Sequence, residues 1–169
     1  AVTQPTCLIT TGSVLLQNLP PNGTWTVISE TDNISQDGTG EITVFQGLDL
    51  GSHTFFVRDA NNCISESSST VEIVAPVDPP APIVDTIYAP TCTRSTGGVF
   101  LSGLPASGTW TLTRVQGGIS QTGTGETAVI SNLPGGTYNY TVTDEGGCVS
   151  VPSEDIIIPP QPEIPSPPV

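Results

Sequence analysis

Shifting the sequence by 85 residues lays it on itself without a gap, and 32 of the 84 overlapping positions (169 − 85) are identical. Unrelated segments share only a handful, so the chain is an internal duplication. Any fold must therefore be one that about 85 residues can form twice. Pro5-Thr6-Cys7 falls on Pro90-Thr91-Cys92, and Gly23-Thr24-Trp25-Thr26 on Gly108-Thr109-Trp110-Thr111. Ile34-Ser35-Gln36 falls on Ile119-Ser120-Gln121, and Gly38-Thr39-Gly40-Glu41 on Gly123-Thr124-Gly125-Glu126. Residue 1 enters the repeat at the phase of Thr86, and Val169 leaves it at the phase of Val84. An excerpt from a longer array would look like this, as would a subunit built to join head to tail.

The expected organisation is a first repeat over residues 1–77, a linker over 78–85, a second repeat over 86–160 and a tail over 161–169. The linker is rich in proline, which makes it an extended, semi-rigid spacer. The tail has the same character in the same phase.

No window sustains a 3.6-residue apolar period, and Gly and Pro interrupt the chain throughout. Short alternating runs bounded by turn residues dominate instead. In the second copy they fall near Cys92–Arg94, Gly98–Leu104, Thr109–Val115, Ile119–Gln121, Thr127–Leu133, Thr137–Asp144 and Val149–Ile158. Seven short strands in so small a unit is the rhythm of an immunoglobulin-like sandwich. The fold class expected is all-β: two tandem immunoglobulin/fibronectin-III-like β-sandwich domains. Alternation turns Trp110 and Leu112 inward, together with Tyr138, Tyr140 and Val142. Leu133-Pro134-Gly135-Gly136-Thr137-Tyr138 has the form of a tyrosine corner, in which the hydroxyl satisfies a nearby backbone group. The first copy places His53 at that position.

Charge narrows the partners. Arg58, Arg94 and Arg114 are the only cationic side chains, against 16 acidic ones, for a net charge of −13. A chain without a basic surface neither neutralises phosphates nor approaches anionic lipid, which argues against nucleic acid and membrane binding. No apolar run is long enough to span a bilayer. The sequence opens without an export signal, so it reads as mature or excised.

Four cysteines in a lysine-free chain rich in Thr, Gly and Pro suggest an oxidising compartment. None forms a CxxC pair of the zinc-binding type. Each copy has to close its own sandwich, so the repeat predicts bridges Cys7–Cys63 and Cys92–Cys148. In the chain-entropy model each would contribute roughly 4 kcal/mol to a domain whose core is small.

The run from Gly136 to Cys148, Gly-Thr-Tyr-Asn-Tyr-Thr-Val-Thr-Asp-Glu-Gly-Gly-Cys, resembles the closing signature of Ig-like repeats in giant adhesins of gliding Bacteroidota. These are the SprB-type repeats and their relatives. Gly51 to Cys63 is a degraded version, and the Pro-Thr-Cys and Gly-Thr-Trp-Thr segments are similar to that group as well. The resemblance implies type IX export and an extracellular, cell-surface location. It implies no ligand.

Chemistry-bearing residues are sparse. His53 is the only histidine and reads as the corner residue rather than a general base. Asp144-Glu145 and Glu154-Asp155 are adjacent carboxylates that a strand would point to opposite faces. Gly38-Thr39-Gly40 and Gly123-Thr124-Gly125 precede no helix and accompany no lysine, so they read as hairpin turns and not as phosphate cradles. A calcium candidate is the oxygen-rich turn of Asp59, Asn61 and Asn62, set against a carboxylate that simply caps the turn. Phe56 alone among the aromatics has an outward phase. Three N-glycosylation sequons begin at Asn22, Asn33 and Asn139, about as many as chance gives. Thr86 within Asp85-Thr86-Ile87 matches a Bacteroidota O-glycosylation motif. No catalytic residue and no resident cofactor are expected. The reading is a non-enzymatic stalk or filament repeat of a secreted adhesin, partnered by neighbouring copies of the same repeat, with head-to-tail homopolymer formation and surface glycans as further partners. A carbohydrate-binding module is the alternative.

Overall fold

The computed structural model describes residues 1–166 and divides the chain into two compact units, Ala1–Pro76 and Val77–Val169. Every regular element among the described residues is a β-strand. In the first unit, β1 (Val2–Thr3), β2 (Gly12–Gln17) and β5 (Ile42–Leu48) form one antiparallel sheet in the order β1-β2-β5. The facing sheet has the order β4-β3-β7, from β3 (Thr24–Ser29), β4 (Ser35–Thr39) and β7 (Phe55–Asp59). A short pair, β6 (Gly51–His53) with β8 (Val71–Ile73), completes it.

The second unit repeats this plan. β9 (Ile83–Tyr88), β10 (Gly97–Ser102) and β13 (Ala128–Leu133) form one sheet, and β11 (Thr109–Arg114), β12 (Ser120–Thr124) and β15 (Tyr140–Thr143) the other. β14 (Gly136–Tyr138) pairs with β16 (Ile156–Ile158). Each unit is an immunoglobulin/fibronectin-III-like β-sandwich, as expected.

The duplicated Gly-Thr-Trp and Gly-Thr-Gly motifs meet in space. Trp25 on β3 lies opposite Gly38 on β4, and Trp110 opposite Gly123. A Cβ built on either glycine would stand only 2.3 Å from the indole Cη2, so only glycine leaves room for the ring. Two residues on, the chain turns at Gly40 (φ 80°) and Gly125 (φ 79°). The carbonyl there accepts the indole N–H, at 2.8 Å in the first unit and 2.7 Å in the second. The motif was expected to be a hairpin turn. It is instead a corner, because β4 pairs with β3 in one sheet while the following β5 pairs with β2 in the other. Burying a large ring while satisfying its one polar atom is what a tryptophan needs in a core.

The indoles anchor similar cores. Val14, Val27, Phe45, Leu48, Phe55 and Ile73 surround Trp25, and Phe45 meets Phe55 at 5.1 Å between ring centroids. Val99, Leu101, Leu112, Tyr140, Val142 and Ile156 are among those around Trp110. Burial pushes the Tyr140 phenol above its ordinary range, with the nearby Arg114 guanidinium acting the other way.

Left-handed backbone positions recur with the repeat. Among the described residues, those other than glycine at positive φ are Asn18, Asn33, Asn62 and Asn132. Their partners 85 positions away are Gly103, Gly118, Gly147 and Gly47, all at positive φ as well. Glycine meets no Cβ penalty there, and asparagine is the side chain that best tolerates it. The two copies exchange one for the other and keep the path of the chain.

Three expected strands differ. Cys92–Arg94 is a tight turn closed by Thr91 and Arg94, each donating its N–H to the other's carbonyl at 2.9 and 3.1 Å. The first strand of the second unit lies earlier, at Ile83–Tyr88, and begins inside the span expected to be linker. The run at 137–144 breaks at Asn139, where the chain passes from β14 to β15 and from one sheet to the other. Of Val149–Ile158, only Ile156–Ile158 is a strand. Upstream, Ser150 and Ser153 bond through backbone and hydroxyl to Val142 and Tyr140, and Pro152 has no N–H to give.

The corner makes a direct prediction. Gly123→Ala should destabilise the second unit by about 1–3 kcal/mol through overpacking against Trp110. Thermal unfolding of that unit would report it, and an unchanged midpoint would show that the ring is not wedged.

Candidate functional site

The one cluster of chemistry-bearing side chains at the core of the first unit is Ser29, Asp32 and His53. β3 ends at Ser29, which is fully buried; Asp32 follows in the turn, and β6 ends at His53, 1% exposed. His53 Nε2 donates to the Asp49 carbonyl at 2.8 Å. In the second unit the Tyr138 hydroxyl donates to the Pro134 carbonyl at 2.9 Å. Positions 49 and 134 are related by the repeat, as are 53 and 138. His53 thus does the work of the corner tyrosine, as expected, with a ring nitrogen in place of the hydroxyl.

The other ring nitrogen, Nδ1, has no well-directed hydrogen bond, but an Asp32 carboxylate oxygen lies 2.8 Å away. That same carboxylate oxygen accepts from the Ser29 hydroxyl at 3.0 Å. The order is therefore Ser–Asp–His. A nucleophilic serine needs the imidazole against its hydroxyl, with the carboxylate behind the imidazole. Here the carboxylate sits between the two, and an aspartate in that place activates nothing. The second unit has Arg114, Gly117 and Tyr138 at the three positions, with the Arg114 guanidinium 5.4 Å from the centroid of the Tyr138 ring. The cluster is a local way to close a corner.

The Asp59 turn uses its carboxylate on its own backbone. One oxygen accepts the N–H of Asn61 at 2.9 Å and of Cys63 at 2.8 Å, while Asn62 adopts φ 64°. Asp144 caps the equivalent turn through the Cys148 N–H at 2.8 Å. Asn61 and Asn62 are exposed. Any calcium at this turn would compete with those N–H groups for the same carboxylate oxygen.

The cysteines do not pair as expected. Cys63 and Cys92 are free, exposed thiols, so the bridges Cys7–Cys63 and Cys92–Cys148 are not formed. Cys7 and Cys148 are not free thiols. Strand direction explains why the two bridges fail. Cys7 lies in the loop that leads into β2 at Gly12, whereas Cys63 follows β7, whose last residue, Asp59, pairs with Trp25 near the start of β3. The two cysteines thus flank opposite ends of β2, which at six residues spans about 17 Å. The Cα atoms of a disulfide must come within about 7 Å. Cys92 and Cys148 are separated in the same way along β10. Turn residues at both ends of a sandwich look alike in a linear sequence, and only the strand order separates them.

Thr86 is exposed on β9, an edge strand, opposite Phe100 on β10. The Asn139 side-chain amide is already engaged, donating to the Ser153 carbonyl at 3.1 Å and to Asp155 at 2.7 Å. Phe56 is half-buried on the face opposite Phe55. No helix among the described residues is long and apolar enough to cross a membrane.

No protein-family model matches the chain, and no curated protein sequence is similar to it. Among solved structures it is similar to the human OSCAR ligand-binding domain, at 15% identity and a TM-score of 0.41, over 92% of each chain. It is also similar to the BSP domain of a biofilm-associated protein, at 19% identity and a TM-score of 0.34, over 95% of this chain and 29% of the other. Likenesses this loose carry no functional inference.

The corner assignment is testable. His53→Ala should cost the first unit about 2–4 kcal/mol, because it leaves the Asp49 carbonyl unpaired and opens a cavity. Denaturant unfolding should recover much of that loss in His53→Tyr, and equal stability of all three proteins would refute the role.

Proposed function

We propose that this chain is a structural stalk or filament repeat module of a secreted bacterial cell-surface adhesin. One observation carries the reading: the framework is repeated while the side chains around it diverge. The tryptophan corner and the left-handed positions recur at the same phase. By contrast, the exposed Leu8 and Ile9 give way to Thr93 and Arg94, the exposed Leu50 to Gly135, and the half-buried Phe56 to Thr141. Selection for a shared binding site would keep surface groups alike; selection for a spacer needs only that each unit folds. The resemblance of Gly136 to Cys148 to the SprB-type repeats supports the same reading, along with an extracellular location. Scattered acidic charge keeps such a module soluble. An O-linked sugar at Thr86 would further protect the β9 edge from pairing with foreign strands.

Single-molecule stretching with the cysteines reduced tests the proposal. Each unit should unfold as a separate event under load and release about 25–30 nm of chain, from 85 residues at about 3.3–3.6 Å each. Saturable, sub-millimolar binding of a glycan to one face would instead make the chain a carbohydrate-binding module.

A further inference from the structure

The two units differ at the seam beyond the glycine corner. There the chain passes from an edge strand of one sheet to an edge strand of the other, β4 to β5 in the first unit and β12 to β13 in the second. In the first unit two contacts close the seam. The Gln36 side-chain amide donates to the Thr43 hydroxyl at 2.8 Å, and Phe45 packs on Phe55 with ring centroids 5.1 Å apart. The second unit loses both. Ala128 stands in place of Thr43 and offers Gln121 no hydroxyl, and Ile130 stands in place of Phe45.

A cavity of about 280 Å³ opens there, with Leu112, Ile130, Leu133 and Tyr140 among its walls. Tyr140 occupies the place of Phe55, so the second unit adds a hydroxyl where the first has none. The residue is 4% exposed, and its hydroxyl has no hydrogen-bond partner among the described residues. A buried polar group without a partner is costly, and phenylalanine would avoid that cost. Burial holds the phenol above its ordinary range, with Arg114 acting the other way, so at neutral pH it keeps a proton to donate. Arg114 lines the same cavity. Its Nε donates to the Gln116 carbonyl at 2.7 Å, and its terminal nitrogens make no hydrogen bond among the described residues. No acidic side chain is among the described residues lining the cavity, in a chain that has 16 of them.

We propose that this cavity in the second unit is a binding site for a small aromatic carboxylate. The inference stands apart from the stalk reading, since it concerns one unit and no load. The first unit supplies the template: at the same seam it seats a phenyl ring, that of Phe45, against Phe55. Size agrees. An apolar cavity of about 150 Å³ is enough for benzene, so 280 Å³ leaves room for a ring and its carboxylate. The ring lies against Tyr140 and Leu112, where apolar and aromatic contact holds it. The carboxylate accepts from the Tyr140 hydroxyl and from the Arg114 guanidinium, whose planar donors match that group. A few polar groups converging on an apolar cleft fix the orientation of a ligand in this way.

Titration of the full chain with benzoate, followed by the methyl NMR signals of Leu112 and Leu133, tests this. The shifts should saturate with a dissociation constant on the order of millimolar or tighter. Acetate, which lacks the ring, should leave the signals where they are. Two variants copy the first unit and so suit the fold. Ile130→Phe fills the seam; it should abolish binding and raise the thermal midpoint of the second unit by a few degrees. Tyr140→Phe removes the hydroxyl; it should weaken binding about tenfold without lowering that midpoint. Benzoate that produces no saturable shift would overturn the proposal. So would shifts that persist undiminished in Ile130→Phe, since the ligand would then bind elsewhere.

Discussion

Everything in each unit is arranged around one indole ring. Trp25 and Trp110 are the largest side chains in their cores, and each needs space beside it and an acceptor for its N–H. Gly38 and Gly123 provide the space, and the Gly40 and Gly125 carbonyls provide the acceptor. Because those carbonyls stand at the corner where the chain leaves one sheet for the other, a single side chain ties the two sheets together. Val27, Leu48 and Ile73 in one unit, and Leu112, Leu133 and Ile158 in the other, then pack in a space whose depth is already defined.

The second constraint is the path of the loops. Left-handed residues stand at the same phase in both copies except at Gly117, whose counterpart is Asp32, and they are filled by glycine or asparagine. Chain path is thus held more tightly than side-chain identity. That is why the corner near β6 tolerates a histidine against an aspartate where the other copy has a tyrosine under an arginine. Each solution pairs a ring donor with a backbone carbonyl four residues back. What surrounds the ring is free to drift.

Much of this was legible in the sequence. The period, the all-β class, the inward tryptophans and the corner role of Tyr138 and His53 follow from alternation and from self-alignment. The cysteine pairing did not, because position along a sandwich depends on strand order. Cys7 and Cys63 look like the two ends of a domain to be stapled, yet they flank opposite ends of β2. The Gly-Thr-Gly corner was misread for a related reason: a turn between strands gives the same local signal whether they pair or part. Pro79, Pro80 and Pro82 mark a linker, so the expected boundary at 86 falls inside β9, although Ile83–Tyr88 has the composition of a first strand.

The central claim is that the indole-to-glycine corner holds each sandwich together, and hydrogen exchange at the two indole N–H groups tests it most directly. Both should exchange only through global unfolding of their own unit, with protection that tracks that unit's stability as denaturant is added. Indole protons that exchange readily in the folded protein, while the core amides of Val27 and Leu112 remain protected, would contradict the account.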